Sequence, residues 1–236
     1  MKLVLFPPRT ATLTGTVGLA RQGSGGGMNS PTAGQGVSEP RASVPVVDGR
    51  RARGNRTRDS LAVAAIELIE AGNPAPSSRQ VAFHAGCSLR TVFYHFDGVD
   101  DLLHHAAELQ VAEYGPLVAF IPPSGPTMFR VQITCRQRRE LYEAISPVLR
   151  VAKARAAMAG RIDDLLDRLR LRLRTQLTTT LGPEILAREG FAQVMLDTLE
   201  VTTGWPNWSA LRVDGGHSAE AAEKIVVYTV SQLLEG

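Results

Sequence analysis

Four polar residues lie close together in SSRQVAFHAGCSLRTVFYHF, residues 77–96: Arg90, Thr91, Tyr94 and His95. Turned at about 100° per residue, they gather on one side of a short helix, and Leu89, Val92, Phe93 and Phe96 gather on the other. The polar side offers a fork-shaped donor, a hydroxyl beside a methyl, a phenol and an imidazole. Such groups suit base edges and phosphate oxygens in a major groove, and the arginine fork matches guanine O6 and N7. The same pattern also describes an ordinary helical hairpin with a solvated face.

The elements that must position these residues are legible around them. Ser77 and Gln80 form an S-x-x-Q capping box, and Pro76 discourages helix before it. Val81, Ala82 and Ala85 make an apolar stripe, Gly86 supplies the left-handed turn, and Ser88 caps the next helix. Ser78 and Arg79 therefore open the first helix of the pair and Ser88 opens the second. Upstream, residues 58–71 (RDSLAVAAIELIEA) place Leu61, Ala65, Leu68 and Ile69 at helical spacing and stop at Gly72. Downstream, Asp97-Gly98 breaks the chain before a further helix, VDDLLHHAAELQVAEY.

A basic arm precedes this unit. GRRARGNRTR places Arg50, Arg51, Arg53, Arg56 and Arg58 within nine residues. Such an arm lies along phosphates or enters a minor groove, and Arg56 and Arg58 are the favoured contacts. A solvated tail and the arginine usage of a GC-rich gene give the same composition. The net charge of this 236-residue chain is only +3, so its basic character matters by location.

In order and spacing, residues 56–103 resemble the tetracycline-repressor (TetR) family of transcriptional regulators. The resemblance rests on Arg58, AAIELIEAG ending at Gly72, Ser78-Arg79, Val81-Ala82, Ala85-Gly86, Ser88, Thr91-Val92-Phe93, His95-Phe96 and Leu102. It implies an all-α fold: an N-terminal three-helix helix-turn-helix DNA-binding domain, then a C-terminal helical bundle for ligand binding and dimerisation. It further implies a cytoplasmic repressor that binds a palindromic operator as a homodimer and answers to a small-molecule effector of unknown identity. A factor controlled by a protein partner would share the same reading head. By this resemblance Arg90 reads a base, Thr91 and Tyr94 touch a base methyl or phosphate, and Ser78, Arg79, Ser88 and His95 hold the backbone. Two positions depart from the family. Phe93 stands where a tyrosine hydroxyl often touches phosphate, and Val99 where a lysine often does.

The expected organisation is an unstructured extension over 1–49, a DNA-binding domain with its basic arm over 50–98, and an effector-binding and dimerisation domain over 99–236. The extension is rich in Gly, Ser, Thr, Pro and Ala, and Met28 after Ser24-Gly25-Gly26-Gly27 is a candidate translation start. Beyond Val99 helices are expected at Met128–Ile145, from Pro147, at Gly160–Leu181 with a stripe of Ile162, Leu166, Leu169, Leu173 and Leu177, at Glu184–Thr203 and at Ser218–Leu234. Asp164 and Arg168 are an i,i+4 pair, and 204–216 reads as a loop. The last helix is apolar over more than one face, which suits a dimer or a fully buried helix. By resemblance the helices near 188–203 and 218–234 form that dimer interface.

Tyr114, Phe120, Met128, Phe129, Tyr142 and Met158 are candidates for a pocket, each also suited to plain core. Asp101, His104, His105 and Glu108 have i,i+4 spacing, but a metal site needs three or four convergent ligands, and neither metal nor cofactor is expected. A solvated face, or a pH-sensitive contact to the reading head, fits them as well. Cys87 and Cys135 form no metal pattern, and packing suits Cys87 in the turn. The chain has no G-x-S-x-G, P-loop, H-E-x-x-H or repeated Glu-x-x-His, so enzyme chemistry is not expected. No apolar run reaches the roughly 18 residues of a membrane span, and MKLVLF before Pro7-Pro8 is short for a signal peptide.

Overall fold

In the computed structural model residues 49–155 and 159–235 are described. Residues 1–48, with the candidate start Met28, and the candidate Met158 lie outside them. The described residues are helical throughout, without strands.

Helix α1 spans Gly49–Glu70. The arginine arm is thus the first turns of a helix and not an extended tail. No proline or turn signal interrupts it, arginine is a good helix former, and Gly54 alone is tolerated. Its far end is a Schellman motif: Gly72 takes φ 94°, and the Asn73 amide donates to the Leu68 carbonyl at 3.0 Å. Helix α2 spans Ser78–His84 behind the predicted capping box, with Ser77 and Gln80 each holding the other's backbone. It ends in the same motif: Gly86 takes φ 65° and the Cys87 amide reaches the Ala82 carbonyl at 2.9 Å. Helix α3 spans Leu89–His95 and α4 spans Val99–Tyr114.

These helices close on Leu61, Ala62, Ala65, Ile66, Val81, Val92 and Phe96, with Leu102 and Leu103 of α4 fully buried beneath them. Each such leucine or isoleucine side chain is worth about 1.5–3 kcal/mol on burial. The same apolar cluster continues into Leu141, Ile145 and Leu149 of the next long helix, so head and bundle share one core.

Helix α5 spans Thr127–Lys153 and runs through Pro147, where a new helix was expected. Proline removes the N–H that would bond the Glu143 carbonyl. Burial of Ile145, Val148, Leu149 and Ala152 on both sides of it keeps the helix continuous. Helix α6, Ala159–Thr180, buries the predicted stripe, with Leu166 only half-buried. Arg168 reaches across to Glu108 at 3.3 Å instead of along its own helix to Asp164.

The helix expected over 184–203 is two. Helix α7 is Gly182–Leu186 and α8 is Ala192–Thr203, parted at Gly190 with φ 75°. The expected loop after Gly204 is largely helical too. Helix α9 is Trp205–Ser209, followed by a π-helical turn, Ala210–Asp214. Both tryptophans explain why: the Trp205 indole donates to Ser146 and that of Trp208 to Glu143, each at 3.0 Å, docking α9 on α5. Helix α10, Ala219–Glu235, packs between α5 and α8 and buries Ala222, Val226 and Val230.

Candidate nucleic-acid interface

A seven-residue helix is marginal alone, so α3 must be held from outside. At its start the Ser88 hydroxyl accepts the Thr91 amide at 3.1 Å and lies 2.9 Å from the Thr91 hydroxyl. In its middle Val92 is fully buried. At its end the Phe96 amide donates to the Val92 carbonyl at 2.9 Å, and the Phe96 ring is buried. Cap, centre and end together fix the axial rotation of α3.

That rotation turns Arg90 and Tyr94 outward, Tyr94 at 84% exposure. Thr91 and His95 are half-buried, and the Tyr94 and His95 rings meet edge-on with centroids 5.0 Å apart. Arg90 has no ion-pair partner among the described residues; neither has Arg79, exposed in the first turn of α2 beside half-buried Ser78. The exposed groups thus include two unneutralised guanidinium groups, one in the first turn of each of two neighbouring helices. Ser88 is exposed, but its hydroxyl serves the cap.

Phe93 does not join the core face. It is 56% exposed, because Phe96 lies past the helix end in extended backbone (φ −139°) and the buried side is centred on Val92 alone. Phe83 of α2 is more open, at 88%. Its place outside the Val81, Ala82 and Ala85 stripe was the available signal. Val99 packs partly buried against the core.

The two favoured arm residues part ways. Arg56 is exposed and has no ion-pair partner among the described residues. Arg58 turns inward, with its guanidinium 4.7 Å from the Phe96 ring centroid and 3.7 Å from Asp101.

The residues of the possible metal quartet serve separate partners. His105 meets Asp59 at 2.8 Å, Asp101 takes Arg58 and Arg161, and His104 lies 3.4 Å from Glu108. Burial is the main reason that the His104 imidazolium titrates below its ordinary range. Among the described residues no three His, Cys, Asp or Glu side chains converge.

Away from the head, Phe191 just before α8 and Val194 and Val201 on it are 67, 60 and 72% exposed, and neighbouring α10 adds Tyr228 at 67%. Exposed large apolar side chains on two neighbouring helices are candidates for a covered face. Between α5, α6 and the α8–α9 corner lies a cavity of about 450 Å³ with Tyr142 in its wall. Of the other pocket candidates, Phe120, Met128 and Phe129 are exposed. The cavity's other walls, Arg138 and Trp205 among them, were not anticipated.

No family profile matches the chain, and no curated protein does. Solved structures do. A transcriptional regulator from Rhodococcus sp. Rha1 superimposes with a TM-score of 0.56 at 20% identity, over 76% of this chain and 96% of that one. A protein described as a TetR-family transcriptional regulator from a Rhodococcus species gives 0.56 at 17% identity, over 76% and 99%. The fold is therefore the all-helical one of TetR-type regulators.

Proposed function

We propose that this protein is a transcriptional regulator that binds a palindromic operator as a homodimer and releases it on binding a small molecule. The observation that carries the reading is α3 itself. It is capped, anchored and rotated so that Arg90 and Tyr94 face solvent, with no intramolecular partner for the arginine. An arginine so presented suits the O6 and N7 of guanine. Tyr94 and the Thr91 methyl suit a thymine methyl or a phosphate. Arg79, Ser78, Ser88, His95 and Arg56 suit phosphate oxygens. Arg58 supports the head from within and reaches DNA only at the cost of its contacts with Phe96 and Asp101.

A two-fold dimer through α8 and α10 supports the palindrome, since it presents two copies of α3. The covered face would be Phe191, Val194, Val201 and Tyr228. The cavity favours a small-molecule effector over a protein partner, because its volume falls in the range of ligand sites. Repression by occlusion of the promoter, in the cytoplasm, is the simplest output of such a device. Selection of bound duplexes from a random library tests the reading, and recovery of a symmetric site supports it.

A further inference from the structure

Helix α5 buries two arginines, and they are treated differently. Arg130, 4% exposed, is neutralised by Glu184. Arg138, 3% exposed, has no carboxylate within 4.0 Å among the described residues. Its Nη2 donates to the Leu173 carbonyl at 2.8 Å and its Nη1 to the Thr203 carbonyl at 3.3 Å, while its buried Nε has no partner. A guanidinium held out of water by neutral groups alone, two carbonyls and the Tyr142 hydroxyl, is costly, and a carboxylate would offset that cost.

Arg138 lines the cavity of about 450 Å³. The other walls are largely apolar: Leu166, Leu169, Leu173, Val201 and Trp205. The remaining charges there are already matched. Lys153 meets Asp163 at 3.1 Å, and Arg170 meets Glu200 at 2.9 Å and Asp167 at 3.5 Å. An anion entering the cavity finds one cation without a counter-charge, whereas an amine finds no free carboxylate. The Tyr142 hydroxyl, which donates to Thr203 O at 3.1 Å, converges on the same carbonyl as Arg138.

We infer that the cavity takes an apolar carboxylic acid in its anionic form, with the Arg138 guanidinium binding the carboxylate and Leu166, Leu169, Leu173 and Trp205 covering the hydrocarbon. This rests on the ligand-responsive reading above and names its ligand class. Bidentate pairing is the geometry a guanidinium offers a carboxylate. Arg138 also holds Thr203, the last residue of α8. A ligand that draws on this guanidinium acts on the helix that carries Val194 and Val201.

The test titrates octanoate, octanol and octylamine into the full-length protein, followed by calorimetry and tryptophan fluorescence, with Arg138→Gln and Arg138→Lys in parallel. Octanoate is expected to bind at least about tenfold tighter than octanol, and octylamine more weakly than either. Arg138→Gln should erase that preference while octanol affinity stays, a split that loss of structural support alone would not give. Arg138→Lys should keep part of it. If Arg138→Gln fails to fold, the wild-type ranking decides. Octanol or octylamine binding as tightly as octanoate overturns the anion assignment but leaves the cavity as a ligand site. Binding by none of the three at millimolar concentration overturns the assignment and removes the cavity's support for an effector. Operator binding without ligand, measured on the same samples, keeps the DNA reading separate from both.

Discussion

The guanidinium of Arg58 in α1 lies 4.7 Å from the centroid of the Phe96 ring, which closes α3. A cation over an aromatic face is worth about 0.5–2 kcal/mol, more where water is excluded. The same arginine meets Asp101 in the first turn of α4 at 3.7 Å, and Asp101 in turn meets Arg161 of α6 at 3.1 Å. Asp100 beside it pairs with Arg155 past the end of α5. The end of α3 is thus tied through one acidic turn to α6 and to the segment that follows α5.

Arg90→Ala is expected to lower affinity for the cognate site by about 1–3 kcal/mol and to relax base preference at one position. Binding to a set of single-base operator variants measures both. Unchanged affinity rules out a base-reading role for Arg90.

Arg79→Ala should behave differently. Loss of a phosphate contact weakens binding to all sequences alike and reduces the slope of log affinity against log salt by about 1. A salt titration on cognate and scrambled duplexes separates the two. An unaltered slope would place Arg79 away from the backbone.

Phe191→Glu and Val194→Glu put a charge into the exposed apolar patch at the start of α8, where each residue is at least 60% exposed and so carries little of the fold. Both variants should stay folded but sediment as monomers, and operator affinity should drop by about 100-fold as the two heads lose their linkage. A wild-type protein that is monomeric at micromolar concentration refutes the dimer.

Two part-buried carboxylates are expected to contribute to the acid limit of stability. Burial pushes Glu143 and Glu184 up, but hydrogen bonds from Arg212 and Trp208 to the first, and from Arg130 and Thr127 to the second, outweigh it and hold both below the usual range. A depressed acid stabilises the fold fully above its unfolded value, about 4.3, and that stability is lost as pH falls through the folded value. The melting temperature should begin to fall below about pH 6.5, where the unfolded His104 takes up a proton that the buried one resists, and fall further below about pH 4.5 as the two carboxylates are protonated. Glu143→Gln and Glu184→Gln should melt lower at pH 7 and show a shallower acid slope. An unchanged slope in both would mean that other carboxylates govern acid unfolding.

Signals confined to one turn of chain were legible in the sequence. Ser77 with Gln80, Gly86 and Ser88 act through neighbours three residues away at most, and each takes the geometry expected of it. The stripes on α1 and α6 were legible for a similar reason, since burial follows helical period. Phe93 was misread because the wheel was continued through Phe96, which is not helical. Pro147 and the residues after Gly204 were misread because tertiary burial, of Ile145 and Val148 in one case and the two tryptophans in the other, outweighed local breakers. Gly190 was a break hidden in a helix-favouring run. The cavity was invisible: its walls come from α5, α6 and the α8–α9 corner, and nothing about a lone arginine at position 138 reveals that no acid will meet it. The inward turn of Arg58 was equally hidden, since its partners Phe96 and Asp101 lie some forty residues further along the chain.

In the proposed complex two copies of α3 read DNA as a symmetric pair. Selection of bound duplexes from a random library, followed by sequencing, tests it most directly. The expected result is an enriched inverted repeat, with half-sites spaced to match successive major grooves, that contains a guanine lost from the consensus selected by Arg90→Ala. Enrichment of no sequence, or of an asymmetric one indifferent to Arg90, would contradict it.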